Sequence, residues 1–427
     1  MPRPISRRSF VAAGVGAVSG AAAAPLVLPS SVFARAGRPA PADRIAVAFI
    51  GMGKRAHELL PRFLARPDCR VVAVCDADAT RREHAQRAVN THYADRSCAA
   101  FLDYTDLLAR PSIDAVVIAT PDHWHALQAI HAARAAKDIY CEQPVSTTLR
   151  ESRLLIDAVR ANARVFQAGS QQRSEYAHRF VTACEYVRAG RLGRLLTIHV
   201  GAGASSAWCT LPAQAPEPGL DWDRWLGPAP HRPYNPILAP RGVIRHYPAW
   251  RAFREFAGGP LAHTGSHNFD IAQWALDADA SGPLRVSLPD PDSPFGAFLT
   301  YAGGVEVHHA GPFGVTFTGT DGQIHVWRDR LSSIPSSILA EPLAPTDLRL
   351  PRRPDHVSDF LACVRSRARC VADVEAGARA AACAHLCNAA YWSRRSLAWD
   401  SLAWRFPDDA TANATLLDRE RRPGFTL

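Results

Sequence analysis

The chain has 427 residues, is 47% hydrophobic and 21% charged, which gives room for two or three domains and excludes general disorder. Its formal charge of +9 does not make it a nucleic-acid binder: Lys occurs only at Lys54 and Lys137, the other basic residues are Arg, and no basic stripe interleaves with aromatics. Ten cysteines show no CxxC or zinc-finger spacing, so no metal site is expected, and Cys383 and Cys387, one helical turn apart, read as core filling.

The first segment, residues 1–36, carries Arg3, Arg7, Arg8 and Arg35 and no acid. Ser6-Arg7-Arg8-Ser9-Phe10-Val11 resembles the bacterial twin-arginine export signal. A mildly apolar run follows to Leu28, and Ala34-Arg35-Ala36 offers a small-x-small cleavage site. Gly14, Gly16, Gly20, Pro25 and Pro29 interrupt the run and argue against a lasting membrane span. The expectation is an exported, periplasmic protein handled by the twin-arginine (Tat) machinery, which carries proteins folded around a cofactor. The four leader arginines account for much of the charge; without residues 1–36 the net is +5.

Residues 44–169 alternate strand and helix. The apolar run from Arg44 to Ile50 is a buried strand. It leads into Gly51-Met52-Gly53-Lys54-Arg55-Ala56, a GxGxxA turn, and a helix from about His57. The first Gly permits the tight turn, the second lets a pyrophosphate approach the backbone, and the small third residue packs helix on strand. A second strand, Arg70 to Val74, ends at Asp76, 25 residues after Gly51, where an acid binds adenosine ribose hydroxyls. An acid repels a 2′-phosphate, so NAD is expected; Arg81 and Arg82 leave NADP open. Ala115 to Thr120 is a strand followed by Pro121 and a helix to about Ala136. Ile139 to Cys141, the helix Leu149 to Ala161 and Val165 to Ala168 complete a parallel sheet. Ligands bind at the carboxyl ends of such strands, which puts Gly51, Asp76, Thr120, Glu142 and Gly169 on one rim.

These features join further motifs: Ala119-Thr120-Pro121-Asp122-His123-Trp124-His125, Tyr140-Cys141-Glu142-Gln143-Pro144, Gly169-Ser170-Gln171-Gln172-Arg173, Asp223-Arg224-Trp225-Leu226-Gly227-Pro228, Gly265-Ser266-His267-Asn268-Phe269-Asp270 and Ala372-Asp373-Val374-Glu375-Ala376-Gly377. Over residues 44–405 the chain resembles the glucose-fructose oxidoreductase / inositol dehydrogenase / rhizopine catabolism (Gfo/Idh/MocA) family. The resemblance implies a Rossmann domain at 44–169 and an α/β domain with a large, mostly antiparallel open sheet at 170–405, followed by a tail at 406–427. It implies hydride transfer between NAD(P) and a hydroxyl carbon of a sugar, polyol or related compound, and a homo-oligomer. The cofactor contacts it implies are Gly51, Gly53, Lys54, Arg55, Asp76, Thr120, Pro121, His125, Glu142 and Gln171.

Two departures fall on the chemistry. Where the family has Glu-Lys-Pro, this chain has Glu142-Gln143-Pro144; Gln143 can hydrogen-bond a hydroxyl but cannot exchange a proton near neutral pH. His267 matches the family's catalytic His and is expected to head a helix from Asn268 to Leu276. Close relatives have Asp where His263 stands, and His263 is expected on a strand or turn beside His267, sharing the substrate proton. Two imidazoles four apart lack a third metal ligand. His267, Gln143 and His263 are thus the catalytic candidates, and these three with Arg173 are the substrate-binding candidates.

In the second domain, Gly193 to Gly201 and Phe295 to His309 have strand character, and Pro354 to Ala368 and Ala376 to Ser393 read as helices. The segment 202–260 is rich in Trp, Pro and Gly; its aromatics either stack on a sugar or pack the loops, and Tyr176, His246 and Tyr247 are further contact candidates. The function expected first is an exported NAD(P)-dependent oxidoreductase acting on a sugar, polyol or glycoside. The alternatives are a glycosidase-like enzyme that keeps NAD and oxidises its substrate only transiently, and a non-catalytic sugar- or dinucleotide-binding module.

Overall fold

The computed structural model describes residues 43–310 and 313–427; the expected leader lies outside the described residues. From Ile45 onward the chain builds around two sheets.

The first sheet contains β1 (Ile45–Ile50), β2 (Cys69–Cys75), β3 (Ala99–Phe101), β4 (Ala115–Ile118), β5 (Asp138–Cys141) and β6 (Phe166–Ala168), all parallel, in the order β3-β2-β1-β4-β5-β6. Val47, Phe49, Val116, Val117 and Ile139 are fully buried, the continuous apolar pattern of strands covered on both faces. The helices α1 (Lys54–Leu64), α2 (Ala79–Tyr93), α3 (Asp122–Arg134) and α4 (Leu149–Ala161) supply that cover. Glycine turns and β-branched runs made this half legible; α1 begins three residues before the expected His57.

The second sheet has β7 (Leu195–Gly201), β8 (Arg285–Ser287), β9 (Phe298–Thr300), β10 (Glu306–His309), β11 (Gly314–Gly319), β12 (Gly322–Val326), β13 (Leu331–Ile334) and β14 (Leu397–Ala398). Its order is β13-β12-β11-β7-β10-β9-β8-β14, antiparallel except where β7 meets β10. The single strand expected over 295–309 is a hairpin, because Gly303 and Gly304 turn the chain at positive φ.

Helices α5 (Gly259–Ala275), α6 (His356–Ser366) and α7 (Val374–Ser393) join the two halves. The Ala-rich α7 packs on α5 and on α4 of the first half, and Cys383 and Cys387 are fully buried in its core face. The expected helix start at Asn268 is corrected by nine residues: α5 begins at Gly259, with Pro260 in its first turn, a position where proline's fixed φ favours a helix. Residues 406–427 are more than a tail. Arg419 and Arg421 pair with the buried Glu151 of α4, and Phe425 packs edge-on against Trp124 at 5.6 Å.

Several buried imidazoles lock these joints. His356 bonds Ser174 Oγ and the Ala168 carbonyl, both at 2.7 Å. His385 bonds the Ser146 carbonyl at 3.1 Å. Burial pushes both down to about 4, and His123 down to about 3. An unfolded chain takes these protons near pH 6.5, whereas the fold resists them until about pH 4. Acid therefore favours unfolding between those limits, by up to about 1.4 kcal/mol per pH unit for each imidazole. The melting temperature should be level above pH 7 and fall steeply from pH 6.5 to 4.5; calorimetry showing no fall would contradict this.

Candidate active site

The strand order reverses between β1 and β4, the place where open parallel sheets bind ligands. A cavity of about 1050 Å³ lies at that rim, at the upper end of ligand sites.

Gly51 has φ +85°, and a Cβ there would lie 2.7 Å from the Thr120 backbone nitrogen, so only glycine closes this turn. Gly53 caps α1, and a Cβ on it would meet nothing within 4 Å; the helix N-terminus stands open to the cavity, as a pyrophosphate requires. Asp76 accepts from the Met52 amide at 2.6 Å and from the Asp78 amide at 2.8 Å. It ties the glycine turn to the end of β2, and each carboxylate oxygen keeps a second lone pair for a ribose hydroxyl. Burial pushes its carboxyl up, against the pull of Arg81.

Thr120 and Pro121 line the wall after β4, and Thr120 Oγ1 donates to Gln128 Oε1 at 2.8 Å. Glu142 Oε1 accepts from Arg55 Nε at 2.9 Å and Gln171 Nε2 at 3.0 Å. Lys54 reaches over the Tyr247 ring, 4.2 Å from its centroid. His125 lines the cavity, and its ring nitrogens face the Thr120 and Pro144 carbonyls, both at 2.8 Å. It thereby locks the loops after β4 and β5 together.

Gln143 and His267 meet at the centre. Gln143 Nε2 donates to His267 Nε2 at 3.0 Å, which puts the imidazole proton on Nδ1. Gln143 Oε1 and His267 Nδ1 are buried without a partner among the described residues. Burial, and then Arg328 and His263, push His267 well below its usual range. His263 is pushed down to about 3 by burial and Arg251. Both imidazoles are therefore neutral at pH 7. His263 does not sit on a strand or turn. It lies one turn before His267 on α5, which puts both on one helix face, and its ring stands 6.0 Å from that of Tyr247.

Arg173 is the clear correction among the substrate candidates. It is 1% exposed and does not line the cavity. Its guanidinium donates to Asp270 at 2.7–3.0 Å and to both oxygens of Asp279 at 2.7 Å, and it lies 4.8 Å from the Trp274 ring. It is the ion-paired core of the joint between the halves. Tyr176 and Tyr247 line the cavity, whereas His246 is exposed. Trp222, Trp225 and Phe256 pack on one another, with Trp222 and Trp225 stacked at 4.7 Å, so the loop aromatics largely serve packing. Arg251, Trp327, Arg328 and Phe425 also line the cavity; they come from distant segments that no local motif joins. Among the described residues, three potential metal ligands converge not at the two histidines but at Asp359, Cys363 and Cys370, where Arg353 already pairs with Asp359 at 2.8 Å.

The fold and rim define a chain with an NAD-binding Rossmann domain. The chain belongs to the Gfo/Idh/MocA family: residues 45–170 match that family's NAD-binding Rossmann fold and residues 185–427 its C-terminal alpha/beta domain. A curated relative, a glycosyl hydrolase family 109 protein of Saccharopolyspora erythraea, is 32% identical over 165 residues, covering 38% of this chain. The chain spans 35% of that relative's length. Among solved structures, the WlbA dehydrogenase of Bordetella pertussis, in complex with NADH and UDP-GlcNAcA, aligns with TM-score 0.57 at 18% identity. The alignment covers 84% of this chain and 99% of that one. The aldose-aldose oxidoreductase of Caulobacter crescentus, complexed with glycerol, aligns with TM-score 0.57 at 18% identity, over 83% and 99% of the chains. These structural likenesses establish the fold.

Proposed function

We propose that the protein is an exported NAD-dependent oxidoreductase acting on a hydroxyl carbon of a sugar, polyol or glycoside. The observation that carries this reading is the Gln143–His267 pair, 3.0 Å apart, in the same cavity as the dinucleotide turn. The residues fit NAD: Gly53 leaves the α1 N-terminus open, and Asp76 presents a carboxylate where the ribose hydroxyls would bind. When bound, NAD supplies a nicotinamide that accepts or returns a hydride. The protein's part is to hold the hydroxyl and move its proton. A substrate hydroxyl that displaces the Gln143–His267 bond accepts from Gln143 Nε2 and gives its proton to the freed lone pair of His267 Nε2, which is neutral and able to take it. Gln143 thus positions and does not titrate, and His263 extends the polar wall one turn away. Export by the twin-arginine route, supported by Arg7-Arg8 and the small-x-small site, places the enzyme in the periplasm, and the mostly antiparallel sheet serves self-association into a homo-oligomer.

A second reading is favoured by the family 109 relative: NAD stays bound, and a glycoside is oxidised transiently, cleaved by elimination and reduced again. The two readings separate in one experiment. Purified protein is given NAD and a panel of free sugars, polyols and nitrophenyl glycosides. Net NADH absorbance from a sugar or polyol is expected. Nitrophenol release without net NADH, and without added NAD, would overturn the first reading in favour of the second.

A further inference from the structure

The cavity holds two arginines that form no ion pair among the described residues. Of its other basic groups, Arg55 pairs with Glu142 and Glu58, Arg224 with Asp103 and Asp221, and Arg81 donates to two backbone carbonyls. Lys54 stands 3.8 Å from Glu58. Arg251 and Arg328 have no carboxylate within ion-pair distance among the described residues. Arg251 Nε and Nη1 and Arg328 Nε are buried without a hydrogen-bond acceptor. Both are held by aromatic rings instead: Arg251 by Tyr247 at 4.0 Å and Trp250 at 4.8 Å, Arg328 by Tyr176 and Trp327 at 5.2 Å each. Ring faces orient a guanidinium without quenching its charge.

Their position is at the reacting end of the cavity. Tyr247, which carries Arg251, also faces the His263 ring at 6.0 Å. Arg328 acts on both His263 and His267 as a nearby like charge. The acid closest in effect to Arg251 is Asp122, whose own carboxyl is pushed up to about 7 by burial and so is a weak counter-charge at neutral pH. Two guanidinium groups with buried, unpartnered N–H donors thus stand beside two neutral imidazoles, and leaving such donors without an acceptor is costly.

We propose that the substrate is an acidic sugar, with Arg251 and Arg328 taking its carboxylate while its hydroxyl meets Gln143 and His267. This rests on the oxidoreductase reading and deepens it. Guanidinium groups are the side chains best suited to a carboxylate in a partly dry site. A carboxylate seated there also favours the protonated form of His267, the form it must adopt on taking the hydroxyl proton. The competing source of negative charge is the dinucleotide's own phosphates, and the test separates the two.

NAD-loaded full-length protein is titrated with glucose and glucuronate, and with galactose and galacturonate, by calorimetry. At least one hexuronate should bind about ten-fold or more tightly than its parent hexose. Arg251→Gln and Arg328→Gln should each erase most of that preference while leaving NAD affinity within about two-fold, read separately by fluorescence titration. Equal binding of acid and hexose by the wild-type protein overturns the proposal and needs no variant. A loss of NAD affinity in the variants with the acid preference intact also overturns it, assigning the arginines to the cofactor phosphates. Failure of the wild-type protein to bind NAD is a different result: it removes the oxidoreductase reading and this inference with it.

Discussion

Replacing His267 by alanine is expected to lower kcat by about 10²- to 10⁴-fold, the range for loss of a positioned acid-base group. Folding and NAD affinity should be preserved. The reasons are local. His267 Nε2 is the imidazole atom that meets Gln143. Its Nδ1 has no partner among the described residues, so the side chain is not a structural strut. Burial keeps it neutral, which leaves Nε2 with a lone pair at pH 7. Gln143 cannot replace it, because an amide has no titrating proton in this range. His267→Gln would keep a polar group of similar reach and lose the same activity, separating proton transfer from cavity shape. Steady-state kinetics with saturating NAD, alongside fluorescence titration of NAD, would read both halves. Turnover within a few-fold of the parent would remove His267 from the chemistry.

The second large effect falls on stability. Arg173→Met should destabilise the protein by about 3–5 kcal/mol, because it strands the buried carboxylate of Asp270 without its partner. Asp270 is fully buried, and Arg173 donates to both of its oxygens. Adding Asp270→Leu to Arg173→Met should recover part of the loss, since removing both charges is less costly than removing one. A substrate contact would behave otherwise: the single variant would fold normally and raise KM. Denaturant melts of the two variants distinguish the cases.

Arg173 also shows where sequence reading stops. The Gly169–Arg173 motif is legible, but Asp270 and Asp279 lie about a hundred residues away, and only the fold says that their charges cancel. The glycine turn was readable because its causes are local: Gly51 has to adopt positive φ beside Thr120, and Asp76 follows the next strand. His263 was misplaced for a different reason. The helix was expected only from Asn268, although Pro260 in the first turn of α5 is a position that favours a helix start. That signal could have put His263 and His267 on one face. Arg251, Arg328 and Phe425 carried no local signal at all; they reach the cavity from the short 3-10 helix Ala249–Ala252, the turn after β12 and the C-terminal segment. The first half of the fold was legible from period and punctuation, and the reacting end of the site depended on contacts between segments.

The most direct measurement is the binding of NAD to the purified full-length chain by calorimetry, after any nucleotide carried through purification has been released by denaturation and identified. One NAD per chain is expected, already bound or readily taken up, with binding lost in Gly51→Val, where a side chain would collide with the Thr120 backbone. A wild-type protein that carries no nucleotide and takes up none would contradict it.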